Sequence, residues 1–162
     1  LREVEERGRA AGLHVIAEAA TALEAEGLWA LGDARIALTR FRKAVTALQS
    51  TGDIPALASA CIAQARAMSD SVDPDLVFKP IADWMDTEAA VVARIERQIA
   101  RGRYQKAMGK PSDDAFDEAQ RLIDQLGVPL DQIDAAALRL HPWMRFVRRA
   151  RRDEPGDPGG EP

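Results

Sequence analysis

Nowhere in this chain do apolar and polar residues alternate over the length of a strand; apolar residues recur instead at three- and four-residue spacing. That period commits the backbone to helices, and the polar breaks between the apolar stretches divide it into a series of them. The first predicted helix spans about 2–30, with Val15, Ala19, Ala22 and Leu23 on its buried side and a break near Gly12. Gly32-Asp33 marks a turn and the start of a second helix over about 33–50, whose Ala37, Phe41, Ala44, Val45 and Leu48 form one apolar face. Thr51-Gly52-Asp53 stops it. A third helix follows over about 54–69, with Pro55 tolerated in its first turn and Leu57, Ala58, Cys61, Ala65 and Met68 along one side.

Asp73-Pro74 supplies an N-cap and a first-turn proline for a fourth helix, about 74–85, which Pro80 should kink or shorten. Asp86-Thr87 caps a fifth over about 87–108, with Val92, Ile95 and Ile99 as its apolar stripe. Ser112 with Asp113 and Asp114 opens a sixth, 112–126, where acid groups sit at the positive end of the helix dipole and Phe116, Ala119, Leu122 or Ile123, and Leu126 face inward. After Pro129 the sequence predicts a short helix carrying Ile133, Ala136, Ala137 and Leu140, then a last one over about 142–152 beyond the His141-Pro142 break. Residues 153–162, rich in Pro, Gly and acid, have nothing to pack and are expected to be disordered. The expected architecture is therefore all-α, a single domain over 1–152 built from antiparallel helical hairpins, seven or eight helices in a bundle or short superhelix.

Composition sharpens what such a chain can be. Its 162 residues suffice for one core, and 46% hydrophobic with 30% charged residues is too apolar for general disorder. Aromatics are only 5% while alanine is abundant, so the helices should approach closely. The net charge of −4 argues against nucleic acid coating the whole surface, though a local basic patch is compatible with it. A single cysteine, Cys61, rules out an internal disulfide framework or a Cys-based zinc site and fits a reducing, cytoplasmic setting. No run of about 18 apolar residues could span a membrane, and the charged segment Leu1–Arg7 lacks the pattern of a signal peptide.

Residues 32–45 read Gly-Asp-Ala-Arg-Ile-Ala-Leu-Thr-Arg-Phe-Arg-Lys-Ala-Val, which resembles the second helix of a tetratricopeptide repeat. The resemblance covers about 18–68 and implies that Gly32, Ala37, Phe41 and Ala44 are repeat-packing positions. A second Gly-Asp at 52–53, twenty residues on, and the small residues Ala58, Ala60 and Ala65 fit the next repeat. Thr21 and Glu24 depart from the pattern, standing where an aromatic and a leucine are expected. The chain also resembles the small terminase subunits of tailed phages, in Gly27-Leu28 with Asp33 and in Leu126-Gly127-Val128-Pro129. That likeness implies a helical, oligomeric, DNA-binding protein.

Residues able to do chemistry are few and scattered. His14 and Glu18 stand one helical turn apart, but two histidines in the whole chain build neither a triad nor a metal site, and His141 is placed to close a helix end. Cys61 lies on an alanine-rich face as a small core residue. Asp113, Asp114, Asp117 and Glu118 are explained by the helix start they open. No glycine-rich phosphate loop is present. The sequence predicts no catalytic residue, no metal and no cofactor. The densest feature is basic: Arg145, Arg148, Arg149, Arg151 and Arg152, interleaved with Trp143, Phe146 and Val147, with Arg94, Arg97, Arg101 and Arg103 as a candidate extension. The reading that follows is a non-enzymatic protein–protein interaction or scaffolding module that holds a protein or peptide partner, with oligomerisation open to it. The alternative is a nucleic-acid-binding helical subunit in which those five C-terminal arginines carry the phosphate or acidic-partner contacts.

Overall fold

The computed structural model describes residues 2–10 and 13–127, and every regular element among them is helical. Seven α-helices follow in order: α1 (Arg2–Ala10), α2 (His14–Ala30), α3 (Ala34–Thr51), α4 (Ile54–Met68), α5 (Pro74–Phe78), α6 (Val91–Ala107) and α7 (Asp113–Gly127). Three short 3-10 turns, Lys79–Ile81, Asp83–Asp86 and Glu88–Ala90, connect α5 to α6. The helices pack on one another as an all-α bundle. The helices expected beyond Pro129 and over 142–152, the 153–162 tail, His141 and the C-terminal arginines lie outside the described residues.

The predicted first helix is two helices, α1 ending at Ala10 and α2 beginning at His14. Helix α2 turns back on α3 through Leu31–Asp33, where Gly32 adopts φ +90°, a conformation that side chains with a Cβ avoid. The α3–α4 corner works the same way: Gly52 at φ +72° ends α3, and the Ala56 N–H donates to Asp53 Oδ1 at 2.9 Å to cap α4. Helix α5 stops two residues before Pro80, as that proline requires, and the chain relaxes into 3-10 turns.

Helix α4 sits at the centre. Leu57, Ala58, Ala60, Cys61, Ala63, Ala65 and Met68 are all buried, spread around the helix as befits one with neighbours on several sides. It packs against α2 more extensively than against its chain neighbour α3, and it also meets α5 and α6. The face predicted for α3 is the buried one: Ala37, Phe41, Ala44 and Leu48 are fully enclosed. Helix α6 faces two ways. Ala93 and Ala100 join the large cluster around α4, while Ile95 and Ile99 form a second one with Ala119, Leu122 and Ile123 of α7.

Three residues expected on buried faces are not in the core: Ala19 of α2 is only half-buried and lies outside both apolar clusters. Leu23 of α2 is 47% exposed and Val92 of α6 is 41% exposed. In both helices a carboxylate takes the inward position: Glu18 and Glu24 are buried in α2, and Glu96 in α6. Glu24 and Glu96 can stay there because arginines from elsewhere neutralise them.

Candidate functional site

The buried acids organise two polar seams. In the first, Arg40 of α3 reaches Glu5 of α1 at 3.2 Å and Glu24 of α2 at 3.3 Å, while Arg2 Nε donates to Glu24 Oε1 at 2.7 Å. An open cleft of about 520 Å³ between α1 and α3 is lined by Arg2, Glu5, Glu6, Thr39, Arg40 and Lys43. In the second seam Arg66 of α4 pairs with Glu96 of α6, its Nε donating at 3.1 Å, and Glu26 of α2 stands nearby. Burial pushes the Glu26 carboxyl above its ordinary value; Arg66 opposes that shift and Glu96 adds to it. In both seams acids and arginines satisfy one another across helices, an arrangement that ties elements together rather than presenting a nucleophile and base to a substrate.

His14 is exposed at the start of α2 and Glu18 is buried one turn on. Cys61 is fully enclosed, and burial pushes its thiol up to about 12, far from the thiolate that nucleophilic chemistry needs. Of the acids opening α7, Glu118 is engaged by Arg121 at 2.6 and 2.7 Å. Among the described residues no three His, Cys, Asp or Glu side chains converge on a point where an ion could sit. No helix among them is long and apolar enough to cross a membrane. Of the four α6 arginines two are engaged: Arg97 by Asp75 at 2.7 Å, and Arg103 by Asp70 at 3.4 Å and by the carbonyl of Arg66 at 3.2 Å.

What the described residues leave uncovered is the outer face of α2. Its inward side is Ala17, Thr21 and Ala25, each without exposed surface, under α1, α3 and α4. On the opposite side Ile16, Leu23 and Ala30 follow at seven-residue intervals, each returning to within about 20° of the last. Leu13, Gly27 and Leu31 flank that line and Ala19 lies half-buried beside it. Leu13, Ile16 and Leu23 are each about half exposed and Leu31 is 81% exposed. No charged residue interrupts the stripe, although 30% of the chain is charged. Burying a whole leucine or isoleucine contributes about 1.5–3 kcal/mol, so each half-exposed one leaves roughly 1 kcal/mol unrealised. Scattered single leucines on a surface mean little, but a contiguous uncharged row along one helix makes a candidate docking face.

Gly27 supports this from a different direction. It lies inside α2 with helical backbone, where glycine costs about 1 kcal/mol relative to alanine. A Cβ there would meet no atom within 4 Å beyond its own helix. Nothing within the described fold requires glycine at this position, whereas close approach of another body to the stripe would. Sequence periodicity missed the face because it placed Leu23 indoors; the signal that could have found it was the seven-residue recurrence of Ile16, Leu23 and Ala30 with no charge among them. No protein-family model, no curated protein and no solved structure matches the chain.

Proposed function

We propose that this protein is a non-enzymatic interaction module, which docks a protein partner on the outer face of α2. The observation that carries the reading is the uncharged stripe of Leu13, Ile16, Leu23, Gly27, Ala30 and Leu31 on a chain otherwise well covered with charge. An interface core is poor in charge and rimmed by polar groups, and Glu26 on one flank with Arg35 beyond the α2–α3 turn provides such a rim. The stripe has the i, i+7, i+14 spacing on which a second helix seats. The cross-helix arginine–carboxylate seams support the same reading by holding α2 between its neighbours, so that the face is preformed.

The test is site-directed photo-cross-linking of the full chain in its native host cell. A benzophenone side chain at position 23 should yield a discrete protein adduct, and one at Gln49, exposed on α3, should not. Equal labelling from both positions, or none from position 23, would refute the reading.

A further inference from the structure

We infer that the occupant of the α2 face is a second copy of this chain, docked antiparallel about a two-fold axis at Leu23; the inference rests on reading α2 as a docking face. A two-fold contact brings the same patch to itself, so the patch must be complementary to its own reverse. About Leu23, residue i faces residue 46 − i. Ile16 then faces Ala30, and Ala19 faces Gly27, while Leu23 meets Leu23. On the central line the large Ile16 is set against the small Ala30, which is the condition for knobs to enter holes; at the ends Leu31 faces Val15 and Leu13 faces Asp33. The glycine unexplained by the rest of the fold falls opposite half-buried Ala19, where the two backbones need the least material between them. A parallel pairing has no such match, because it sets Ile16 on Ile16 and Gly27 on Gly27.

Charge agrees. Glu26, the one acid bordering the stripe, faces Ala20 in the antiparallel register, so no like charges are opposed. The area agrees as well. Helix α2 has 17 residues and is about 25 Å long, and a strip one helix wide comes to roughly 500 Å² per copy once side-chain relief is counted. Two copies bury about 1,000 Å², the threshold of a specific contact and the size of a reversible one. A contact of that size is typical of a reversible association, so the dimer is expected to depend on concentration.

Light scattering after size exclusion reads the mass of the full chain from low to high micromolar concentration. A concentration-dependent dimer is expected, with Leu23→Glu raising its dissociation constant at least tenfold while the far-ultraviolet circular dichroism is unchanged. Gly27→Leu is the second variant: the position is exposed and a Cβ there meets nothing within 4 Å, so an unchanged circular dichroism spectrum is expected, and the dimer should be lost. Orientation is read by cross-linking with a short bis-maleimide. Buried Cys61, its thiol pushed up to about 12, stays silent in native protein. Leu23→Cys should cross-link to itself. Ile16→Cys and Ala30→Cys should not do so alone, because each pair lies about 21 Å apart along the axis, but a mixture of the two should. A chain that stays monomeric at several hundred micromolar, or a dimer that survives both Leu23→Glu and Gly27→Leu, overturns the proposal. So does self-cross-linking by Ile16→Cys. A monomer that still gives a position-23 adduct of another mass sinks the second copy and leaves the docking face standing.

Discussion

Gly102 has no room for a methyl group. A Cβ there would lie 2.6 Å from Cζ of Phe116, whose ring is buried where α7 crosses α6. Gly102→Ala gains about 1 kcal/mol of helix propensity and costs about 1–3 kcal/mol of overpacking, so the net expectation is a loss of up to about 2 kcal/mol. A lower urea midpoint at unchanged slope would show it; a rise in the midpoint would mean that Phe116 moves aside freely. Gly27 is the control, since Gly27→Ala fills open space and should stabilise the isolated chain by about 0.5–1 kcal/mol. Phe41, fully enclosed between small neighbours Ala37 and Ala44, should cost about 3–5 kcal/mol on truncation to alanine. Glu26 carries the clearest pH signature. Its carboxyl is raised in the folded state, chiefly by burial, so the folded chain holds that proton more tightly than the unfolded chain does. Keeping Glu26 charged therefore costs stability at neutral pH, and the cost disappears as pH falls through the raised value to the unfolded one. Glu26→Gln should raise the melting temperature at pH 7 and lose that advantage near pH 4. An advantage that grows toward acid would contradict the assignment.

Helix α1 shows how much of an element's placement a charge pattern can conceal. Its nine residues, Arg-Glu-Val-Glu-Glu-Arg-Gly-Arg-Ala, have no core face of their own, and a helix that short does not hold itself together in water. Three features fix it: the Arg40–Glu5 pair, the Arg2–Glu24 pair, and the close approach of Gly8 to Ala17, where a Cβ would come within 3.3 Å. Replacing Arg40 by methionine leaves two buried carboxylates short of a counter-charge. Because Arg40 is partly exposed, the expected cost is about 1–3 kcal/mol rather than that of a fully dry pair. The loss should fall first on amide protection within α1, with α3 and α4 little changed, and exchange measured by mass spectrometry reads it segment by segment. Uniform loss across all helices would show that Arg40 supports the core directly.

The same chemistry explains what could be read from the residues and what could not. The faces of α3 and α4 were legible because Ala37, Phe41, Ala44 and Leu48, and then Leu57, Cys61 and Met68, bury apolar atoms with the period of a helix. Those of α2 and α6 were legible only in part. Glu24 and Glu96 are buried by partners 16 and 30 residues away in the chain, Arg40 and Arg66, and local spacing contains no trace of such pairs. Once acids occupy the inward positions, Leu23 and Val92 are displaced outward. The candidate docking face was therefore hidden by the feature that frees it.

At the scale of the molecule the two apolar clusters are unequal. The larger joins α2, α3, α4, α5 and the turns after it, and reaches α6 through Ala93 and Ala100. The smaller lies between α6 and α7 alone: Ile95, Ile99, Ala119, Leu122 and Ile123, with Val91 and Leu126 at its edge. Helix α7 has α6 as its main neighbour. Local opening needs only the contacts of the segment that opens, so α7 should detach at a lower free energy than the whole chain unfolds. Native-state hydrogen exchange in low denaturant would then show the amides of Phe116–Ile123 exchanging through an opening with a smaller denaturant dependence than those of Phe41–Leu48. Leu122→Ala, which removes apolar atoms from the smaller cluster only, should lower that opening energy by about 2–4 kcal/mol and leave α3 unchanged at its local limit. If the two segments instead exchange with one free energy and one slope, α6 couples the clusters completely. The bundle would then be a single cooperative unit, despite the division of its core.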